Sequence, residues 1–134
     1  MYLSHQTLAG ATLILVSALL AASVSAADHI EGRVEGGDVS MIRPDGTVLG
    51  HFDAGKNITG PWGVAIDGND NVWVASSISH SITQLCGVRP ENFPPGLATG
   101  DPISPPGSYI DGLQTVTAVA IDPAGNAWVA NSWN

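Results

Sequence analysis

A chain of 134 residues has room for about one domain of ordinary size. Twelve acidic residues against four basic ones leave a net charge of −8, which argues against nucleic acid and anionic membrane surfaces as partners. A single cysteine, Cys86, excludes an internal disulfide, and in Ile82-Thr-Gln-Leu-Cys86 it reads as a small buried hydrophobe.

The first predicted element is a leader. Residues 1–27 carry no Lys, Arg, Asp or Glu, hold an apolar stretch from Ala11 to Ala22 and end in Val24-Ser25-Ala26, a small-x-small cleavage pattern. That combination predicts a secretory signal peptide, and with it a secreted or periplasmic location. The n-region offers only the amino terminus and His5 as positive groups. Left uncut, Leu8 to Ala27 is about long enough to span a bilayer, the one route to a stable membrane partner.

The part after the leader, 28–134, predicts an all-β fold, since no segment in it has helical periodicity. An outer hairpin is expected over 38–52, with Arg43-Pro-Asp-Gly46 as its turn. A blade follows over 61–112, and an inner strand pair over 116–131. The segments 63–75, GVAIDGNDNVWVA, and 118–130, AVAIDPAGNAWVA, share eight of thirteen positions. Ile66 and Ile121 stand 55 positions apart, as do Trp73 and Trp128. A strand repeat of that period predicts a propeller or a similar array. Each copy reads as two strands about a tight turn, Asp67-Gly-Asn-Asp70 in the first and Asp122-Pro-Ala-Gly125 in the second.

Val72 to Ala75 and Ala127 to Ala130 are apolar at every position, as strands covered on both faces must be. Ser81 to Leu85 and Asp38 to Ile42 are partly polar and predict half-exposed outer strands. The stretch 87–112 holds six prolines and five glycines. It predicts a long surface excursion rather than central strands, with a short outer strand near Ser108 to Ile110.

Pro61-Trp-Gly-Val-Ala-Ile-Asp67, Asn71-Val-Trp-Val-Ala75 and Ile82 to Leu85 together resemble one complete NHL-type β-propeller repeat. Val119 to Asp122 and Gly125 to Ala130 resemble a second, which departs from the family in having Val116 and Ala118 where Pro and Gly are usual. The resemblance implies β-propeller blades, about two NHL-like repeats of an incomplete propeller. Propellers close with several blades, so the chain is expected to be the N-terminal part of a longer protein, with the counterpart of Ile82 falling at 137. Were the chain complete, its terminal inner pair and its initial outer pair would be complementary halves of one blade. About three or four copies could then close a ring as a homo-oligomer.

Chemistry is sparse. No catalytic triad, paired acid and base carboxylates or phosphate-cradling glycine loop stands out, so no catalytic residue and no cofactor is assigned. Trp62 precedes a strand and is a candidate for stacking on a ligand at a rim, while Trp73 and Trp128 read as packing residues. His51 ends a strand and His80 sits in a loop before one, so both are candidate ligand-binding residues. Asp67, Asn69 and Asn71 alternate as oxygen donors able to face calcium, although a plain hairpin turn explains the same residues. The function expected is a secreted binding or interaction module for a protein or glycan ligand. The alternative is the N-terminal part of a propeller enzyme, similar to streptogramin lyases or the gluconolactonase group, with its catalytic residues in blades absent from this sequence.

Overall fold

The computed structural model describes residues 36–132 and, as backbone, Leu15–Ser17. Apart from Leu15–Ser17, the leader expected over 1–27 lies outside the described residues. Within them the chain is all-β, with one 3₁₀ turn at Pro90–Asn92 and no helix long and apolar enough to cross a membrane.

The strands form three small antiparallel sheets. In the first, β1 (Leu15–Ser17) pairs with β2 (Val39–Ile42), and β2 with β3 (Val48–Phe52). The second is a meander of β4 (Pro61–Ile66), β5 (Val72–Ser76) and β6 (Ser81–Leu85). The third holds β7 (Val116–Ile121) and β8 (Ala127–Asn131).

The two copies of the repeat fold alike to the residue. Ile66 pairs with Val72 and Val64 with Val74, as Ile121 pairs with Ala127 and Val119 with Val129. Each first strand carries a register shift at the same place, between Pro61 and Gly63 and between Val116 and Ala118. Trp62 and Thr117 are therefore the extra residues of matching bulges, which twist the strand and re-aim the side chain. Replacing Pro and Gly by Val116 and Ala118 alters neither the strand bounds nor the bulge.

β5 explains how the sheets stack. Its alternate residues go to opposite faces. Val72 and Val74 join Val39, Ala54, Ile58 and Leu85 in a core shared with the first sheet. Ala75 joins Ile82, Val116 and Val119 in a core shared with the third, with Trp73 packed against it. The continuous apolar run of β5 thus reflects burial from both sides, as its sequence predicts. β8, with almost the same sequence, does not follow: all its residues but Val129 are exposed, and Trp128 is 63% accessible. The difference is that, among the described residues, no further sheet covers its outer face and no strand pairs its second edge.

β6 departs from expectation in the other direction, being buried at every position but Gln84. The excursion 87–112 causes this by running back along its far edge. Ile82 and Tyr109 exchange both main-chain hydrogen bonds at 2.9 Å, so the short outer strand near 108–110 is present as a bridge. A second bridge joins Leu85 and Pro102, where the bonds come from the flanking residues, Cys86 N–H to Asp101 O at 2.8 Å and Ile103 N–H to Gln84 O at 2.7 Å. The proline sits where the ladder asks for no donor. The polar residues this strap buries are matched, with Thr83 Oγ1 2.7 Å from Ser108 Oγ.

The second and third sheets come into close backbone contact at Gly63, where a Cβ would lie 3.0 Å from both the Ala118 Cα and the Thr117 carbonyl oxygen. Gly63 and Ala118 are repeat equivalents, so β4 approaches β7 at matching positions. Gly63→Ala is expected to force the two backbones apart and lower unfolding free energy by about 1–3 kcal/mol in urea denaturation. Gly68→Ala, where a Cβ meets nothing within 4 Å, is expected to change it by no more than about 0.5 kcal/mol. Equal effects at the two sites would refute close backbone contact as the reason for Gly63.

Candidate functional site

The site begins with two hairpin turns that share one chemistry. In the first, the chain turns with an Asp70 N–H to Asp67 O bond at 3.0 Å and closes with Asp67 N–H to Asn71 O at 3.0 Å. The residue two before the return strand is left-handed in both copies, Asp70 at φ 70° and Gly125 at φ 88°. Glycine meets that need without strain, and aspartate is among the few other residues that tolerate it.

Asp67 then serves as an acceptor for its own turn. Its Oδ1 accepts the backbone N–H of Asn69 and of Asn71, each at 2.9 Å. Its Oδ2 accepts the Asn71 amide at 3.1 Å, the Trp73 indole at 2.9 Å and, more loosely, the Gln84 amide at 3.4 Å. Asp122 repeats the pattern, with Oδ1 accepting from the Ala124 and Asn126 backbones and Oδ2 from the Asn126 amide at 2.8 Å and the Trp128 indole at 3.0 Å. The conserved spacing within the chain, Asp, then Asn four residues on, then Trp six residues on, is therefore a clasp. It ties turn to strand and gives the indole N–H its partner, half-buried at Trp73 and exposed at Trp128.

These bonds set the ionisation. Burial raises the Asp67 carboxyl, but hydrogen bonds from Trp73, Asn71 and Asn69 outweigh it, and the group sits below its ordinary 3.8. Asp122 is brought down to about 2, chiefly by the Asn126 side chain, then by the Trp128 indole and the Asn126 backbone. Both carboxylates are charged at neutral pH.

Between the two turns lies an open cleft of about 630 Å³. Asp67, Asn69, Trp73 and Gln84 face it from the second sheet, and Asp122 and Ala124 from the third. Trp73 is held from behind by Tyr109 of the strap, the rings stacked with centroids 5.9 Å apart and planes 19° from parallel. The cleft wall is thus a charged and amide-bearing surface on a rigid aromatic base, and the small residues at 123–125 leave its other side open.

The candidates read from sequence fall in three places. Trp62 is 53% exposed at the β4 bulge, outside the cleft. His80 is exposed in the turn before β6 with φ 52°. His51 on β3 lies beside two residues that sequence spacing does not connect to it: Ser40 Oγ is 2.9 Å from His51 Nδ1, and Asp38 Oδ2 is 3.7 Å from the same nitrogen. A hydrolytic triad needs serine and carboxylate on opposite ring nitrogens, so this exposed cluster is not arranged as one. Asp67, Asn69 and Asn71 do come together, but the carboxylate oxygens of Asp67 face the donors of their own turn and Asn71 is buried. Among the described residues no group of three or more His, Cys, Asp or Glu side chains gathers to hold a metal.

Gln84, Tyr109 and Asp122 have no place among the sequence candidates. For Asp122 the available signal was the Asp, Asn and Trp spacing common to both copies. Gln84 and Tyr109 carry no such signal, because the β5–β6 register brings the first to Trp73 and the strap brings the second.

Removing the Asp67 carboxylate with Asp67→Ala leaves the Asn71 amide and the Trp73 indole without an acceptor. The expected loss is about 1–3 kcal/mol of unfolding free energy at pH 7, read from urea midpoints. Because both carboxyls are depressed, their contribution is complete above the ordinary 3.8 and is lost as pH falls through the folded values, about 2 for Asp122. Asp122→Asn is expected to flatten that acid limb, and an unchanged limb between about pH 4 and pH 2 would refute the clasp as its source.

No protein-family model, no curated protein and no solved structure matches this chain.

Proposed function

We propose that this chain forms consecutive blades of an extracytoplasmic, NHL-like β-propeller that works as a binding module, with the cleft between the Asp67 and Asp122 turns as its ligand seat. One observation carries the reading. Equivalent residues of the two copies face each other at two levels, Gly63 against Ala118 within the stack and Ile66 to Asn69 against Ile121 to Ala124 across the cleft. Two such coincidences along one strand mean that β4 and β7 run the same way in matching register. That relation between neighbouring repeats is the one a radial array of small sheets requires.

The same relation sets two identical clasped turns side by side and leaves a rigid opening between them. Binding sites favour such placement, since loops fixed by a scaffold present groups without ordering cost. The wall chemistry suits a ligand rich in hydroxyls or amides, a glycan or a protein loop, and the fixed negative charge disfavours an anionic one.

The test is capture on arrays of glycans and secreted proteins, using the 134-residue chain and an Ala124→Trp variant that fills the cleft from an exposed turn. The wild type is expected to retain a ligand and the variant to lose at least about tenfold in affinity with an unchanged thermal midpoint. Capture indifferent to Ala124→Trp would remove the cleft from the reading. Metal-dependent lactonase or lyase turnover by the same preparation would replace the binding module with an enzyme.

A further inference from the structure

Three Asp-Gly pairs occur in the chain, at 45–46, 67–68 and 111–112. Such a pair can react with itself. The backbone nitrogen of the glycine attacks the carboxyl carbon of the aspartate, and the absent Cβ leaves that nitrogen unhindered. Whether it does so depends on how firmly the fold holds the two groups.

The first two pairs are held. Asp45 Oδ1 accepts the Thr47 N–H at 2.9 Å, and the Gly46 N–H is itself donated to Arg43 O at 2.9 Å. Asp67 is fixed by the donors of its clasp, the Asn69 and Asn71 backbones on one oxygen and the Asn71 amide and Trp73 indole on the other. Both carboxyls sit below their ordinary 3.8, Asp45 chiefly through the Thr47 backbone and Asp67 because its burial is outweighed by the clasp. A carboxylate kept ionised has no hydroxyl to lose.

Asp111 and Gly112 are placed differently. They are the exposed middle of a turn that the Leu113 N–H closes on Ile110 O at 3.1 Å, with Gly112 at φ 70°. Among the described residues the Asp111 carboxylate takes no hydrogen bond or ion pair, and the Gly112 N–H donates to no backbone carbonyl. A Cβ on Gly112 would meet nothing within 4 Å. Both reacting groups are therefore unengaged.

We propose that Asp111-Gly112 is a self-modification site, where the folded chain converts an aspartyl linkage into an isoaspartyl one through a cyclic imide. The Gly112 nitrogen bonds to Asp111 Cγ, and the carboxyl hydroxyl leaves as water with the Gly112 amide proton. Water then adds to either ring carbonyl, and the C–N bond at that carbonyl breaks. Opening at Cγ restores aspartate, whereas opening at the Asp111 main-chain carbonyl leaves the chain running through Cβ and Cγ. One water is released and one consumed. The product puts an extra main-chain carbon between Tyr109, which bridges to Ile82 and stacks on Trp73, and Leu113, which packs against the core of the second and third sheets. Isomerisation thus loosens the strap where it backs the cleft. The inference stands on the strap alone, apart from the propeller and binding readings.

The experiment is prolonged incubation of the 134-residue chain in oxygen-18 water at neutral pH, folded and in concentrated guanidinium, followed by peptide mass spectrometry. Each ring opening leaves a labelled oxygen at the reacting aspartate. In the folded chain Asp111 is expected to gain label at least about tenfold faster than Asp45 or Asp67, the factor by which one hydrogen bond to a charged group raises a barrier. In guanidinium the three rates are expected to converge, since only the fold separates them. An isomer of the Asp111 peptide with equal mass and altered retention is expected to accumulate with the label and to be lost in Asp111→Glu, whose longer side chain closes the ring poorly. The Leu113 amide, bonded across the turn, is expected to exchange faster in the isomerised chain. Three outcomes overturn the proposal: no label at Asp111 in the folded chain; equal labelling of Asp45, Asp67 and Asp111 there; or an isomer that persists in Asp111→Glu. Unchanged exchange at Leu113 would overturn the loosening of the strap.

Discussion

A strand that is apolar on both sides cannot finish its own folding. β5 sends Val72 and Val74 one way and Trp73 and Ala75 the other, so its sheet needs a neighbour on each face. From that requirement follow the stacking of three small sheets, the division of the hydrophobic interior into two cores, and the near contact of backbones at Gly63. Each core is shared property: neither the first nor the third sheet buries its apolar residues without the second. Stability in such a stack lies largely in the interfaces between units rather than within them.

The polar chemistry is subordinate to this stacking and solves a problem it creates. Bringing a tryptophan into an inner strand puts an indole N–H next to the core, where an unmatched donor is costly. The turn at the strand's start supplies the acceptor, and the same carboxylate satisfies two backbone N–H groups of the turn. One aspartate thereby fixes the turn, the strand register and the ring orientation. Its negative charge stays at the end of the sheet stack, where two such groups flank one opening.

Much of this was legible from residues alone. The offset of 55 and the Asp, Asn and Trp spacing mark the repeat, and the apolar run of β5 declares its two-sided burial. Two strands misled. Ser81 to Leu85 looks half exposed by polarity, yet Ser81 and Thr83 are buried because hydroxyls of Ser79 and Ser108 meet them. Ala127 to Ala130 looks buried by polarity, yet it is exposed because burial depends on a neighbour that a strand's own sequence cannot report. The site was harder still. Trp62, His51 and His80 are conspicuous as residue types but lie outside the cleft, which is lined by two turn aspartates, amides, Trp73 and small residues, with Asp67, Asn69 and Asn71 the only sequence candidates among them. Tyr109 reaches Trp73 only through a strap whose prolines and glycines conceal its path along β6.

The strap has a further consequence, for the order of events during synthesis. Its bridges join Ile82 to Tyr109 and Leu85 to Pro102, contacts between residues close in the chain. The second sheet, with the far edge of β6 covered, can therefore assemble as soon as the strap has emerged, before β7 and β8 exist to cover its other face. Each later layer then completes its core on the one before it, and the slow search for distant partners is confined to that docking.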